Sequence, residues 1–141
     1  MNARFLGTTD KGGKGAVSLK LKSTEGKPGY FVIHLEGRLD TITTPQLEQM
    51  LQYLITAAPR SITFEMTKLD YITSAGLRAI LTAYKKLKST GGICGVLNVP
   101  PQIRKILDIA DISPSLNIFA SEAEADAYFD AVQSGRIGKK S

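Results

Sequence analysis

The sequence predicts an α/β domain: a mixed, mainly parallel sheet with helices packed mostly on one of its faces. Three observations carry that prediction. Segments with apolar residues at every second position alternate along the chain with segments whose apolar residues recur at helical spacing. Helical stretches lie between successive strands, and a crossover of that kind brings the next strand in parallel. Val17–Lys22, Tyr30–Glu36 and Ser61–Met66 each keep a polar alternate face, which calls for helices mainly on one side.

The elements follow in the order β-β-α-β-α-β-α-β-α. Asp10-Lys11-Gly12-Gly13-Lys14-Gly15 marks residues 1–15 as a flexible N-terminal segment ahead of a single domain over 16–132. Val17, Leu19 and Leu21 alternate with Ser18, Lys20 and Lys22, and the turn Glu25–Gly29 leads to Phe31, Ile33 and Leu35 on one face. Thr44 before Pro45 suits a helix cap followed by proline at the first helical position. Leu47, Met50, Leu51, Leu54, Ile55 and Ala58 then form one apolar stripe, which Pro59 ends. Ser61–Met66 turns Ile62, Phe64 and Met66 inward. After it, a strand and its loop give way to a helix at Ser74, whose hydroxyl is placed to cap it. Leu77, Ile80, Leu81, Tyr84 and Leu87 face inward, Lys85, Lys86 and Lys88 suit the negative end of the dipole, and Gly91-Gly92 close the helix. Ile93–Val99 is nearly all apolar and reads as the most buried strand. Pro101–Ala110 is a short helix with Ile103, Ile106 and Leu107 inward, and Asn117–Ala120 is a brief last strand. Ser121 and Glu124 make a capping box for a helix ending near Phe129–Val132, and 133–141 reads as a flexible basic tail.

A chain of 141 residues, 43% hydrophobic and 22% charged, can bury a core without disulfides or metals. Its one cysteine, Cys94, lies in an apolar run and reads as a small buried hydrophobe. No apolar stretch approaches the ~20 residues of a membrane span, and the start lacks the apolar core of a signal peptide. A cytoplasmic location without membrane partners is the expectation. The net charge of +5 is unevenly spread: residues 1–29 carry +4, 131–141 carry +3, and 30–130 carry −2. Basicity confined to the ends, with no basic stripe interleaved with aromatics, speaks against a nucleic-acid partner.

The search for catalytic chemistry finds little. The one histidine, His34, sits within a strand on its polar face, which suits a structural role. No spaced set of His, Cys, Asp and Glu offers three metal ligands. Gly12-Gly13-Lys14-Gly15 follows no strand and opens no helix, so it is no phosphate loop. Asp108 and Asp111 read as solvated residues of a helix end. Ser74 has no histidine near it in sequence to activate it. Two polar, helix-opening loops nevertheless stand out, at Asp40 and at Ser74, each after a core strand. Parallel neighbouring strands would bring both to one sheet edge, as a recognition surface and not a catalytic pocket.

Leu35-Glu36-Gly37-Arg38-Leu39-Asp40, with Thr44 four residues on, resembles the strand-and-loop opening of STAS domains, as in anti-sigma factor antagonists. Phe64-Glu65-Met66-Thr67-Lys68-Leu69-Asp70-Tyr71-Ile72-Thr73-Ser74-Ala75-Gly76-Leu77 is similar to that family's second signature. The likeness spans Val17 to Val132. It implies a non-enzymatic partner-switching regulator without a cofactor. The unmodified antagonist binds an anti-sigma factor serine kinase and so frees a sigma factor. Phosphorylation at the position of Ser74 releases the antagonist, and a phosphoserine phosphatase resets it. Asp40, Thr41, Thr44, Thr73, Ser74, Ala75, Gly76 and Arg78 would form the partner-binding edge. Many antagonists have aspartate at the position of Thr73, serine at that of Ala75 and aspartate at that of Glu65. The threonine removes a negative neighbour and makes Thr73 a rival acceptor. The alternative roles are a STAS scaffold or accessory subunit of a signalling or transport assembly, in which Ser74 is only a cap, and a small enzyme or nucleotide-binding domain.

Overall fold

A computed structural model describes residues 4–10, 18–112 and 116–133. Six strands form one sheet in sequence order: β1 (Arg4–Asp10), β2 (Leu19–Glu25), β3 (Tyr30–Leu39), β4 (Ser61–Ile72), β5 (Ile93–Leu97) and β6 (Asn117–Phe119). β1, β2 and β3 are antiparallel, joined on the β2–β3 side by a tight turn in which Gly29 takes φ +87°. β3 to β6 are parallel, because the connections between them carry the helices α1 (Thr44–Ile55), α2 (Ser74–Ser89) and α3 (Pro101–Ile109). The last helix, α4 (Glu122–Gln133), follows β6.

The alternating pattern of the strands sorts the side chains into two layers. Ile33 and Leu35 of β3, Phe64 and Met66 of β4 and Val96 of β5 lie on one face, under Leu47 and Leu54 of α1, Leu77 and Ile80 of α2 and Ile103 and Leu107 of α3. Ile93 and Leu97, out of phase with Val96, point the other way and pack with Phe119 against Ala125 and Phe129 of α4. Three helices therefore cover one face and a single helix covers one end of the other, the mixed α/β arrangement expected. β5 is buried at every residue, and Cys94 within it has its thiol pushed up to about 12 by burial. Such a thiol is an inert core group at neutral pH.

The Gly91-Gly92 stop and the Ser121 cap follow the sequence. Gly91 N–H donates to the Lys88 carbonyl at 3.1 Å and Gly92 N–H to the Leu87 carbonyl at 2.7 Å, the paired bonds of a Schellman ending. Glu124 N–H donates to Ser121 Oγ at 3.1 Å, but the Glu124 carboxylate reaches Ala120 N–H and not that of Ser121. Helix α1 stops at Ile55, so Ala58 is not part of its apolar stripe. Ala58 is exposed at φ +50°, and Pro59 beyond it disfavours helical geometry at that position.

Two strands depart from expectation. The segment 1–15, expected to be flexible, contains β1, paired from Arg4↔Glu25 to Asp10↔Lys20. Its register slips between Phe5 and Gly7, and the extra residue, Leu6, breaks the two-residue alternation that would have marked a strand. Residues 11–17, with Val17 of the expected first strand, and 134–141 of the expected tail lie outside the described residues. β4 runs on to Ile72 where a loop was expected after Met66. Between the pairs His34↔Glu65 and Leu39↔Ile72, β3 advances five residues while β4 advances seven. The two bulges turn Met66, Leu69 and Ile72 all inward, a three-residue spacing that hides a strand.

Gly37 marks the first of the close approaches that shape this end of the sheet. It takes φ +106°, and a Cβ there would lie 2.1 Å from the Ser18 carbonyl oxygen. Gly37→Ala is expected to lower stability by about 2 kcal/mol or more. The check is a reduced urea midpoint at unchanged slope, and a midpoint equal to the parent's would contradict the packing described.

Candidate functional site

The site is set by where β3 and β4 end. Leu39 pairs with Ile72, and Thr73 N–H donates to the Leu39 carbonyl at 3.0 Å. The two segments leaving these strands therefore start side by side on one edge of the sheet, as parallel neighbours require.

The first segment is tied down by its own side chains. Asp40 Oδ1 accepts the N–H groups of Ile42 and Thr43, each at 3.0 Å. The Thr43 hydroxyl accepts Asp40 N–H at 2.9 Å and donates to the Arg38 carbonyl at 2.8 Å. Arg38 Nε lies 3.7 Å from Asp40 Oδ2, and its guanidinium sits over the Tyr71 ring, 3.9 Å from the centroid. These donors, the Thr43 N–H foremost, hold the Asp40 carboxyl below its ordinary value. The helix cap falls at Thr43, one residue before the Thr44 expected, because Thr43 is the residue fastened to Arg38 and Asp40. Thr44 is the first helical residue and only 3% exposed, so it is no part of an accessible binding edge. At the turn's apex stands Ile42, 83% exposed.

The second segment has almost no length. Thr73 is extended, at φ −107° and ψ 176°, and its carbonyl accepts Leu77 N–H at 3.0 Å, so Thr73 is the cap position of α2. Its hydroxyl points to the Leu39 carbonyl at 3.5 Å and makes no capping bond. The cap role expected of Ser74 is thus corrected: Ser74 is the first helical residue, exposed, with no hydrogen bond from its hydroxyl among the described residues. Ala75 is half-buried and Arg78 exposed. Gly76 is buried beneath the edge, where a Cβ would lie 2.7 Å from Leu39 Cγ and 3.0 Å from Ile72 Cγ1.

Of the predicted edge residues, then, Thr41, Ser74 and Arg78 are exposed, Asp40, Thr73 and Ala75 are half-buried, and Thr44 and Gly76 are buried. Sequence reading missed Ile42, Arg38 and Tyr71. An isoleucine alone in the polar run Asp40-Thr41-Ile42-Thr43-Thr44 was a usable signal. The Arg38–Tyr71 pair was not, since these residues become neighbours only through the bulges of β4.

His34 belongs to a different region. It faces Lys22 and Glu65 on the open side of the sheet, with Thr24 Oγ1 3.4 Å from Nε2. Burial, and then the charge of Lys22, lowers its pKa below the ordinary histidine value. No hydrogen bond joins it to Ser74. Glu65 accepts a bond from Asn98 Nδ2 at 2.9 Å and others from the hydroxyl and N–H of Thr67. Among the described residues no three His, Cys, Asp or Glu side chains cluster to hold a metal ion, and no helix is long and apolar enough to cross a membrane.

Comparison with known proteins decides the family. The model of the STAS domain matches residues 22–125. This chain belongs to the STAS family. It is 28% identical over 101 residues to BtrV of Bordetella bronchiseptica, a candidate anti-sigma factor antagonist, covering 72% of this STAS chain and 87% of that protein. It is 26% identical over 105 residues to the anti-sigma F factor antagonist of Paenibacillus polymyxa, covering 74% and 90%. Among solved structures, unphosphorylated SpoIIAA, an anti-sigma factor antagonist, superposes with a TM-score of 0.68 at 22% identity, over 84% of this chain and 99% of that one. The STAS fold also occurs within the murine anion transporter Slc26a9, with a TM-score of 0.60 at 13% identity over 73% of this chain and 18% of the transporter.

Two outcomes test the geometry of the STAS edge. Gly76→Ala must push Leu39 and Ile72 aside and is expected to cost about 1–3 kcal/mol, read as a lower thermal midpoint; an unchanged midpoint would contradict the seating of α2. Asp40, with its folded pKa below the ordinary 3.8, contributes stability that is present above that value and lost as pH falls through the folded value. The stability difference between parent and Asp40→Asn should therefore be constant near neutrality and shrink on acidification below pH 3.8. A difference independent of pH would show that the carboxylate charge is not what the loop uses.

Proposed function

We propose that this STAS domain is an anti-sigma factor antagonist that binds an anti-sigma factor serine kinase when unmodified and is released when that kinase phosphorylates Ser74. The observation that carries the reading is the free, exposed Ser74 hydroxyl, on the same sheet edge as the loop that carries the exposed Ile42. Ile42, Thr41 and Arg78 supply contact area around it, while Asp40 shapes the loop. In the transfer, Ser74 Oγ takes the γ-phosphoryl group of ATP, the hydroxyl proton leaves and ADP departs. Thr73, the rival acceptor, is half-buried with its hydroxyl turned to the Leu39 carbonyl, which favours Ser74. A phosphoserine phosphatase returns the protein to its binding form. The domain acts as a binding module in the cytoplasm and not as an enzyme, in keeping with a serine that no histidine activates.

The modification adds about −1.5 to −2 charges. In the free protein water and the N-terminal dipole of α2 tolerate it. In a complex it is desolvated and unmatched, and a loss of ~3 kcal/mol weakens binding more than a hundredfold, at about 1.4 kcal/mol per decade.

The test is titration calorimetry of the domain with its cognate kinase, together with phosphosite mapping after incubation with ATP. Ser74→Ala should bind as the parent does and stay bound in ATP, and Ser74→Asp should bind at least tenfold more weakly. Phosphate that enters Ser74→Ala, or maps to Thr73 in the parent, would overturn the assignment. A kinase that binds neither form would favour a STAS scaffold.

A further inference from the structure

We propose that Arg78 is the counter-charge for the phosphate on Ser74, an intrahelical ion pair that forms only in the modified protein. The inference rests on Ser74 being the modified residue. Ser74 is the first residue of the 16-residue helix α2 and Arg78 lies four residues on, so the two side chains share one face, one turn apart. Both are exposed, and neither side chain has a hydrogen-bond or ion-pair partner among the described residues. Anion before cation at this spacing is the favourable order on a helix. A guanidinium also presents a planar fork of donors that matches phosphate oxygens two at a time.

The surroundings leave Arg78 as the available partner. The other guanidinium of the edge, Arg38, is already held by Asp40 and stacked on Tyr71. The first turn of α2 contains no acidic residue, and Thr73, immediately before Ser74, is uncharged, so no carboxylate there draws Arg78 away. Asp40, the acid on the neighbouring loop, is engaged by the N–H groups of Ile42 and Thr43 and by Arg38. Asp70, on β4, is exposed two residues before that strand ends. Along α2, Thr82 follows Arg78 by one further turn, and its hydroxyl donates to the Arg78 carbonyl at 2.9 Å without involving the guanidinium. The consequence is a phosphate that is more fully dianionic at neutral pH and a released form stabilised from within. The same arginine, in the unmodified protein, remains free for a partner.

The experiment installs phosphoserine at position 74 by genetic encoding and follows its second ionisation by phosphorus NMR at low salt. The ordinary value is about 6. The dipole of α2 acts on it in every variant, so the pair is read as a difference: the parent should titrate about 0.3 unit below Arg78→Gln, the size an i,i+4 pair confers. Arg78→Lys should fall between the two, and Lys88→Gln, which removes one charge at the far end of α2, should titrate close to the parent. Raising the salt should erase the difference between parent and Arg78→Gln. Titrations that coincide for the parent and Arg78→Gln at low salt, or an equal shift in Lys88→Gln and Arg78→Gln, would overturn the pair. Because the phosphate is installed without a kinase, a kinase that ignores Ser74 would sink the functional reading and leave this measurement standing.

Discussion

The whole edge depends on one contact, the seat of α2 on the paired ends of β3 and β4. Gly76 is the residue that allows it: with no Cβ, it lets the first turn of the helix close down on Leu39 and Ile72. Thr73 N–H is satisfied by the Leu39 carbonyl, so the helix is anchored by its cap residue as well as by packing. Once Gly76, Leu77 and Ile80 are directed inward, helical geometry leaves Ser74 and Arg78 on the outside. The exposure of the serine is thus a consequence of core packing two residues away.

The two segments at the edge solve opposite problems. The Asp40 turn spends its hydrogen-bonding groups largely on itself, with the N–H groups of Asp40, Ile42 and Thr43 and the Thr43 hydroxyl engaged, and leaves Ile42 projecting at its apex. The Ser74 segment leaves its hydroxyl unengaged. A group that no native hydrogen bond uses can be modified without removing any support for the fold. That division suits a surface whose charge can change while its shape does not.

Much of this was legible in the sequence because the relevant signals were local. The apolar stripes of α1 and α2, the Gly91-Gly92 stop and the Ser121 cap all act within a few residues. What was not legible was long-range. β1 and the second half of β4 carry extra residues that break alternation, and their strand character comes from the neighbour they pair with. The cap at Thr43 and the cap at Thr73 each fell one residue before the position expected, since both are decided by bonds to carbonyls outside their helices, those of Arg38 and Leu39. The serine–glycine signature located the site, but only the packing of Gly76 separates the residues that support it from those that face a partner.

The central claim is that phosphate on Ser74 changes the charge of a preformed edge and not its fold. Amide chemical shifts of the domain with serine and with phosphoserine at position 74 test this most directly. The account predicts perturbations confined to 40–43 and 73–78, with the amides of β5 and of α3 unmoved. Shifts spread through the sheet, or loss of amide protection in β3 and β4, would contradict it.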